Sequence, residues 1–221
     1  MAGTVRTVSD QPLELRRRFH QQLETIDAKV IRLFALVTEG VVAATDALLG
    51  GDTDAARALT DQDRHIDELE VDLEQVAEHE LLTQTPMAGD MRFLVSVLRV
   101  VPELERSGDL AEHIAQRAAT GLAMRLTPTV RGHLEQMGGI CGSMWRRAAD
   151  AWAERDAEAC KDLDSADDQL DDLHDRLVDE LGTADIALPD ALQTVLVARF
   201  YERLGDHAVH ISERVRYIVG G

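Results

Sequence analysis

Two stretches of the chain, Glu105-Arg106-Ser107-Gly108-Asp109 and Glu202-Arg203-Leu204-Gly205-Asp206, are nearly the same. Each is followed by a His-Ile pair, His113-Ile114 in the first case and His210-Ile211 in the second, and matched positions lie 97 residues apart. A repeat of this length indicates a structural unit that occurs twice. Because the repeated residues are mostly carboxylates and a histidine at helical spacing, they also predict a cation site.

The repeat continues upstream of these motifs at an offset of 104 residues. Asp63 and Asp67 correspond to Asp167 and Asp171, and apolar positions correspond along the preceding segments. The offset falls from 104 to 97 residues between the Asp pairs and the Glu-Arg-x-Gly-Asp stretches. The connection between these two segments is therefore shorter in the second unit. Two units of roughly a hundred residues each are within the usual size of a domain.

Composition limits the class of protein. Of the 221 residues 45% are apolar and only 4% are aromatic, which favours packed helices over a β-sandwich. The formal charge of −18 predicts no nucleic-acid binding, because an acidic surface repels phosphate backbones. The sequence shows no basic cluster that would bind anionic lipid. It also shows no apolar run near the roughly 18 residues of a membrane span and no signal peptide within 1–12. The expected location is the cytoplasm, where Cys141 and Cys160 stay reduced and buried.

The spacing of apolar residues predicts six helices and no strand. Gly50-Gly51 ends the first helix, and Asp52 can cap the second. The predicted fold class is all-α, with two tandem three-helix bundles related by the internal repeat and occupying 13–121 and 127–220. The predicted helices are Leu13–Leu49, Asp52–Thr83, Gly89–Thr120, one that starts at Thr127-Pro128, Asp156–Gly182 and Pro189–Val219.

Four acid-x-x-x-Asp pairs are the candidate functional residues. Residues four apart stack on one face of a helix, so two packed helices would collect four carboxylates in each unit. Such carboxylates repel one another unless a cation or a proton compensates. Carboxylate oxygens suit hard cations, and imidazole adds affinity for iron, zinc or nickel. The candidate metal ligands are Asp63, Asp67, Glu105, Asp109 and His113 in the first unit, and Asp167, Asp171, Glu202, Asp206 and His210 in the second.

Two local features accompany the motifs. Pro102 lies inside a predicted helix, where proline costs about 3 kcal/mol and kinks the chain. Its counterpart in the second unit is Arg199, so we expect the two sites to differ in geometry. Gly108 and Gly205 are helical glycines, each costing about 1 kcal/mol relative to alanine. Their repetition predicts that a backbone or a ligand comes close, or that two helices cross tightly.

The competing interpretation of the acidic pairs is a solvated face with helix-stabilising Glu/Arg pairs. His207 follows Asp206 without a counterpart in the first unit, and we expect it at the surface. His174 and the other histidines outside the motifs share no pattern, so the sequence assigns them no role.

The chain contains ARFYERLGDHA at 198–208, a closing segment through Tyr217 and FHQQLE at 19–24. These segments resemble the PhoU family, and the resemblance extends over 15–220. It implies two three-helix bundles that act as a phosphate-transport accessory protein. Such a protein represses the phosphate-starvation response by linking the ATPase of the phosphate ABC transporter to a sensor histidine kinase.

The resemblance also implies a cofactor. Some members of the family bind multinuclear iron or zinc through acid-x-x-x-Asp motifs, which match Asp63/Asp67, Glu105/Asp109, Asp167/Asp171 and Glu202/Asp206 here. The chain departs from the family pattern where His113 and His210 replace the common Asn and Ser107 replaces Ile. Pro102 is also unusual for the family.

Three functions stay open at this stage. The first is the regulator, a non-enzymatic adaptor that reaches the membrane only through its partners and that can also form a homodimer. The second is a metal-free helical scaffold. The third is a carboxylate-bridged di-metal enzyme, which typically needs Glu-x-x-His on two helices. The nearest match is Asp171-x-x-His174, and no nucleophile elbow, glycine-rich phosphate loop or Cys-His signature occurs, so we predict no catalytic residues.

Overall fold

Six long helices form the molecule. The structure is a computed structural model that describes residues 11–220, and within this range it contains no strand. The predicted all-α fold class is therefore confirmed. The helices are α1 (Gln11–Gly50), α2 (Thr53–Thr83), α3 (Ala88–Ala115), α4 (Pro128–Glu154), α5 (Ala159–Thr183) and α6 (Leu188–Gly220), with short 3₁₀ turns at Ala118–Thr120 and Leu122–Arg125.

The starts of α2 and α4 follow from capping side chains. The Asp52 carboxylate accepts hydrogen bonds of 3.0 Å from the backbone N–H groups of Asp54 and Ala55. The Thr127 hydroxyl accepts one of 3.3 Å from Val130, and Pro128 occupies the first turn. These contacts satisfy N–H groups that have no partner within the helix. Both starts agree with the predictions from the sequence.

Two predicted boundaries were wrong. Helix α3 ends at Ala115 rather than Thr120, because the chain tightens into 3₁₀ turns around Gly121, whose φ is +64°. Helix α5 begins at Ala159 rather than Asp156. Arg155 ends α4 with a φ of +57°, and the Asp156 carboxylate accepts a 2.9 Å bond from the Glu158 N–H in the turn that follows.

The bundles α1–α3 and α4–α6 share one apolar core. Helix α1 packs on α4, and α3 packs on α6. The fully buried Trp152 of α4 lies with its ring centre 5.9 Å from that of Phe34 and 6.1 Å from that of Phe93, both in the first bundle. The division into domains at 13–121 and 127–220 stays a prediction, because these contacts join the two bundles.

Helix α1 has the length and composition of a membrane span but packs as a core helix. Within the described residues it has an 18-residue window that is long and apolar enough to cross a bilayer, and half of that window is buried inside the structure. The sequence analysis missed it because scattered charges interrupt every continuous apolar run. Burial of this kind is what a core helix requires, since α1 contacts α2, α3 and α4.

The cysteines behave as small apolar residues. Cys141 and Cys160 are both buried and unpaired with each other, as predicted. Cys141 donates a weak hydrogen bond of 3.2 Å to the backbone carbonyl of Tyr201. Burial raises the pKa of the Cys141 thiol well above its ordinary value, which makes it unreactive.

Candidate metal centres

Helix packing collects the predicted carboxylates into two clusters, one in each bundle. We define the first cluster, between α2 and α3, as Asp63, Asp67, Glu70, Glu105 and Asp109. The second cluster, between α5 and α6, consists of Asp167, Asp171, His174, Glu202 and Asp206.

Four of the five acids in the first cluster have raised pKa values. Burial, followed by the nearby charges of Asp109 and Asp67, raises the pKa of Asp63 to about 6. Burial, followed by Asp109 and Glu70, raises the pKa of Glu105 to about 7. Burial also raises the pKa of Asp109. Near neutral pH this cluster therefore favours a bound proton or a bound cation.

The second cluster shows the same effect. Burial, followed by the charges of Asp206 and Asp171, raises the pKa of Asp167 to about 6. The pKa of Asp171 is raised by burial and then by Glu202. Asp63 and its counterpart Asp167 thus have matching environments, because each unit places its acids at the same crossing of two helices.

Three carboxylate oxygens in these clusters are buried without a hydrogen-bond partner. They are Asp63 Oδ1, Asp167 Oδ1 and Glu202 Oε2. Leaving such an acceptor unpaired costs free energy, so a proton or a cation that binds it is stabilised. Oxygen donors of this kind fit a hard or borderline metal ion.

The two helical glycines make room for these acids. A Cβ on Gly205 would lie 2.5 Å from Asp167 Oδ1 and 2.8 Å from Leu170 Cδ2. On Gly108 it would lie 3.3 Å from Asp63 Oδ1. The groups that come close are therefore side chains of the neighbouring helix, and the helices also cross tightly. The tight crossing of two helices therefore accounts for both glycines, and the approach of a ligand stays a prediction.

The clusters differ where the proline interrupts the repeat. Arg199 pairs with Glu202 in the second bundle and neutralises part of its charge. Pro102 occupies the corresponding position in the first bundle, so Glu105 receives no guanidinium from there. Helix α3 nevertheless continues through Pro102. The structure thus shows a difference in charge compensation, and the predicted difference in geometry stays a prediction.

Sequence analysis missed Glu70 and gave no role to His174. Burial, followed by Glu74 and Asp67, raises the pKa of Glu70. His174 Nε2 lies 3.9 Å from Glu202 Oε2. The two residues are 104 positions apart, the offset of the repeat, so the alignment could have found them. Their unlike chemistry concealed the match, and it makes the first cluster all-oxygen and the second a mixture of oxygen and imidazole.

The two motif histidines lie beside the clusters and make other contacts. Burial raises the pKa of Asp109 and the nearby His113 opposes part of that rise, but the His113 ring stacks on Phe200 with 5.7 Å between ring centres. His210 lines a groove between α3 and α6 together with Glu103. Their assignment as metal ligands stays a prediction.

His207 is buried, which corrects the expectation of a surface position. It is only 7% exposed, because its face of α6 packs against α3. Its Nδ1 lies 2.9 Å from the Ser107 hydroxyl, and its Nε2 lies 3.4 Å from the Glu103 carboxylate. Burial lowers the pKa of His207. Ser107, which departs from the family pattern, thus contributes a polar contact between the bundles.

The clusters offer suitable metal ligands without converging on a point. Within residues 11–220, no group of three or more His, Cys, Asp and Glu side chains is arranged to hold a metal ion. Mutual repulsion favours separated carboxylates. The unpaired oxygens nevertheless fit a cation chemically, and rotation of these side chains would be needed to enclose it. Iron or zinc therefore stays a prediction.

Comparison with known proteins identifies the family. The PhoU domain matches this chain twice, over residues 30–118 and 134–215, which correspond to the two bundles. The chain belongs to the PhoU family. A Mycobacterium tuberculosis protein named phosphate-specific transport system accessory protein PhoU homolog 2 is 30% identical over 210 residues, covering 94% of this chain and 99% of that protein. A Pseudomonas putida PhoU homolog is 31% identical over 213 residues, covering 94% and 82%.

Solved PhoU structures have the same architecture. The crystal structure of PhoU from Pseudomonas aeruginosa superposes with a TM-score of 0.86 at 28% identity, covering 92% of this chain and 99% of that one. The phosphate transport system regulatory protein PhoU from Streptococcus pneumoniae gives a TM-score of 0.80 at 25% identity, covering 92% and 98%. The predicted pair of three-helix bundles is therefore confirmed for this PhoU-family chain.

Proposed function

We propose that this chain is a phosphate-transport accessory protein that represses the phosphate-starvation response. The observation that carries the proposal is the PhoU domain match over both bundles, together with relatives named for the phosphate-specific transport system. The proposed partners are the ATPase of the phosphate ABC transporter and a phosphate-sensing histidine kinase. The proposed location is the cytoplasm, with contact to the membrane through these partners.

The proposed mechanism is protein recognition without catalysis. Helical faces dock the transporter ATPase and the kinase, and the kinase is held in its phosphatase-biased state while phosphate is plentiful. The carboxylate clusters support this mechanism because each one lies between two helices of a bundle. A cation bound there would relieve repulsion between α2 and α3, or between α5 and α6, and would thereby tune the docking faces. A homodimer is compatible with the same mechanism.

The test is a phosphate-starvation reporter in phosphate-replete cells that lack this chain. We expect the reporter to switch on and the intact chain to restore silence. Pull-down of the chain from the same cells should recover the transporter ATPase and the kinase. A silent reporter in the deletion strain, together with recovery of neither partner, would contradict the proposal.

A metal-free helical scaffold is the second candidate. The observation that favours it is that other groups already relieve part of the charge: Arg199 pairs with Glu202, and the raised pKa of Glu105, about 7, leaves that acid partly protonated at neutral pH. Elemental analysis of the protein purified from its native cells distinguishes the two. Iron or zinc near one equivalent or more per bundle supports the metal-binding regulator, whereas metal-free protein that still silences the reporter supports the scaffold.

A further inference from the structure

A groove between α3 and α6 lies outside both carboxylate clusters. Its volume is about 510 Å³, within the range of roughly 300–1,000 Å³ that is typical of small-molecule sites. Both bundles contribute to its walls. Arg99 and Arg106 come from α3, and Arg214 and His210 come from α6.

The arginines of the groove are poorly neutralised for a chain with a formal charge of −18. Among the described residues, neither Arg99 nor Arg214 has a carboxylate within 4.0 Å, and Arg106 reaches Glu103 only at 3.7 Å. Elsewhere, arginine makes close pairs such as Arg125 with Asp190 at 2.7 Å. The groove also contains the carboxylates of Glu103 and Glu213, so its excess positive charge comes from the three guanidinium groups.

A hydrogen-bond acceptor accompanies these donors. Pro102 lines the groove and has no N–H, so it cannot donate to the backbone carbonyl of Leu98 one turn earlier. Leu98 lines the same groove. The wall therefore combines guanidinium donors with a carbonyl that lacks its usual helical partner. This combination suits a ligand that carries anionic oxygens and also a hydroxyl or amino donor.

We propose that the α3–α6 groove binds a small phosphate-bearing anion of nucleotide size. Guanidinium groups recognise phosphoryl oxygens through paired N–H donors, and three of them line this groove from two helices. The common chemistry is the phosphoryl group, which a nucleotide or free inorganic phosphate can supply. The volume favours the nucleotide, whose ribose and base would fill the space that inorganic phosphate leaves empty.

Such a ligand would bridge the two bundles. Arg99 lies on α3 and Arg214 on α6, and the contacts of Ser107 and His207 join the same two helices. Phosphoryl binding would therefore stabilise the packing of α3 against α6. The proposal goes beyond the regulatory function. None of the five residues of either carboxylate cluster lines the groove, whereas His210, which the sequence predicts as a metal ligand, does line it.

The test is calorimetric titration of the whole chain with ATP, inorganic phosphate and citrate in separate experiments. EDTA is present and Mg²⁺ is omitted, so that the carboxylate clusters cannot bind ATP through a metal. We expect ATP to bind and the double variant Arg99→Gln/Arg214→Gln to weaken binding about tenfold or more, since two charge-assisted contacts are lost. Arg57→Gln is the matched control, because Arg57 is a highly exposed arginine of α2 outside the groove.

Comparison of the three titrations identifies the ligand and tests the proposal. Tighter binding of ATP than of inorganic phosphate identifies the nucleotide as the source of the phosphoryl group, and the reverse order identifies free phosphate. The proposal is overturned if neither compound binds, if citrate binds as tightly as ATP, or if the double variant binds like the control. Circular dichroism of each variant establishes that lost binding does not result from unfolding.

Discussion

Glu105 is the residue at which the two halves of the molecule differ most in charge. It lacks the arginine that its counterpart Glu202 receives from Arg199, and its pKa rises from 4.5 to about 7. The folded state then binds a proton more tightly than the unfolded chain does. Its contribution to stability is therefore largest at low pH and is lost as the pH rises from about 4.5 through about 7.

We predict that Glu105→Gln stabilises the metal-free protein at pH 8 and has little effect at pH 5. The amide keeps the shape of the side chain and removes a charge that burial and neighbouring acids oppose. The measurement is the midpoint of thermal unfolding in EDTA at the two pH values. Glu202→Gln is the control, because it removes the charge that Arg199 compensates, and it should give no comparable gain. Equal gains in the two variants would contradict the proposed asymmetry.

Gly205 gives a second prediction at the residue scale. Gly205→Ala should lower the free energy of unfolding by about 1–3 kcal/mol, because the added methyl group would overlap Asp167 and Leu170. Gly139→Ala in α4 is the control. A Cβ there meets no atom within 4 Å, so the substitution should be neutral or stabilise by up to about 1 kcal/mol. Denaturant unfolding measures both, and a neutral Gly205→Ala would refute the close approach.

At the scale of elements, pairs of helices form the candidate metal sites. Each cluster draws two acids from one helix and two from the next, so a metal would hold α2 to α3 and α5 to α6. The additional ligand is carboxylate in the first pair, from Glu70, and imidazole in the second, from His174. Because imidazole favours zinc over purely oxygen-binding cations, we expect the second pair to retain zinc more strongly.

The corresponding prediction concerns metal content. Glu202→Ala/Asp206→Ala should reduce bound zinc or iron by the share that belongs to the second cluster, measured by elemental analysis after dialysis. Asp172→Ala is the matched control, since Asp172 is an exposed acid of α5 whose neighbour is Arg176 at 3.8 Å. His174→Gln should lower zinc retention while leaving the oxygen ligands in place. Unchanged stoichiometry in the double variant would exclude the second cluster as a metal site.

At the scale of the whole molecule, the two bundles behave as one packed body. The fully buried Trp152 contacts two rings of the other bundle, and its indole N–H donates to Asp27 at 2.8 Å. The Tyr201 hydroxyl of α6 lies 2.9 Å from the Thr45 hydroxyl of α1. The bundles therefore share apolar core and also buried polar contacts, which leave little independent surface to either.

We predict a single calorimetric unfolding transition for the whole chain. Because the core is shared, opening one bundle would expose apolar surface of the other and destabilise it. The calorimetric enthalpy and the van't Hoff enthalpy of unfolding should therefore agree. Trp152→Ala should lower stability by about 3–5 kcal/mol and shift the one transition without splitting it. Two transitions in the unaltered protein would instead support bundles that fold as independent domains.

The sequence by itself determined the elements and the pairing of motifs. Apolar spacing predicted six helices, and the capping residue Asp52 and the first-turn proline Pro128 predicted two starts that the structure reproduces. The offsets of 97 and 104 residues identified which acids correspond. These features are readable because helix periodicity, capping and repetition depend on residues close together or aligned along the chain.

Tertiary structure decided what happens where distant helices meet. The burial of His207 against Ser107 and the assembly of an arginine groove both depend on α3 packing against α6. No basic cluster appears in the sequence, because Arg99 and Arg214 are more than a hundred positions apart. Contacts of this kind depend on which helix faces pack against each other, and the apolar periodicity of the sequence does not specify that packing.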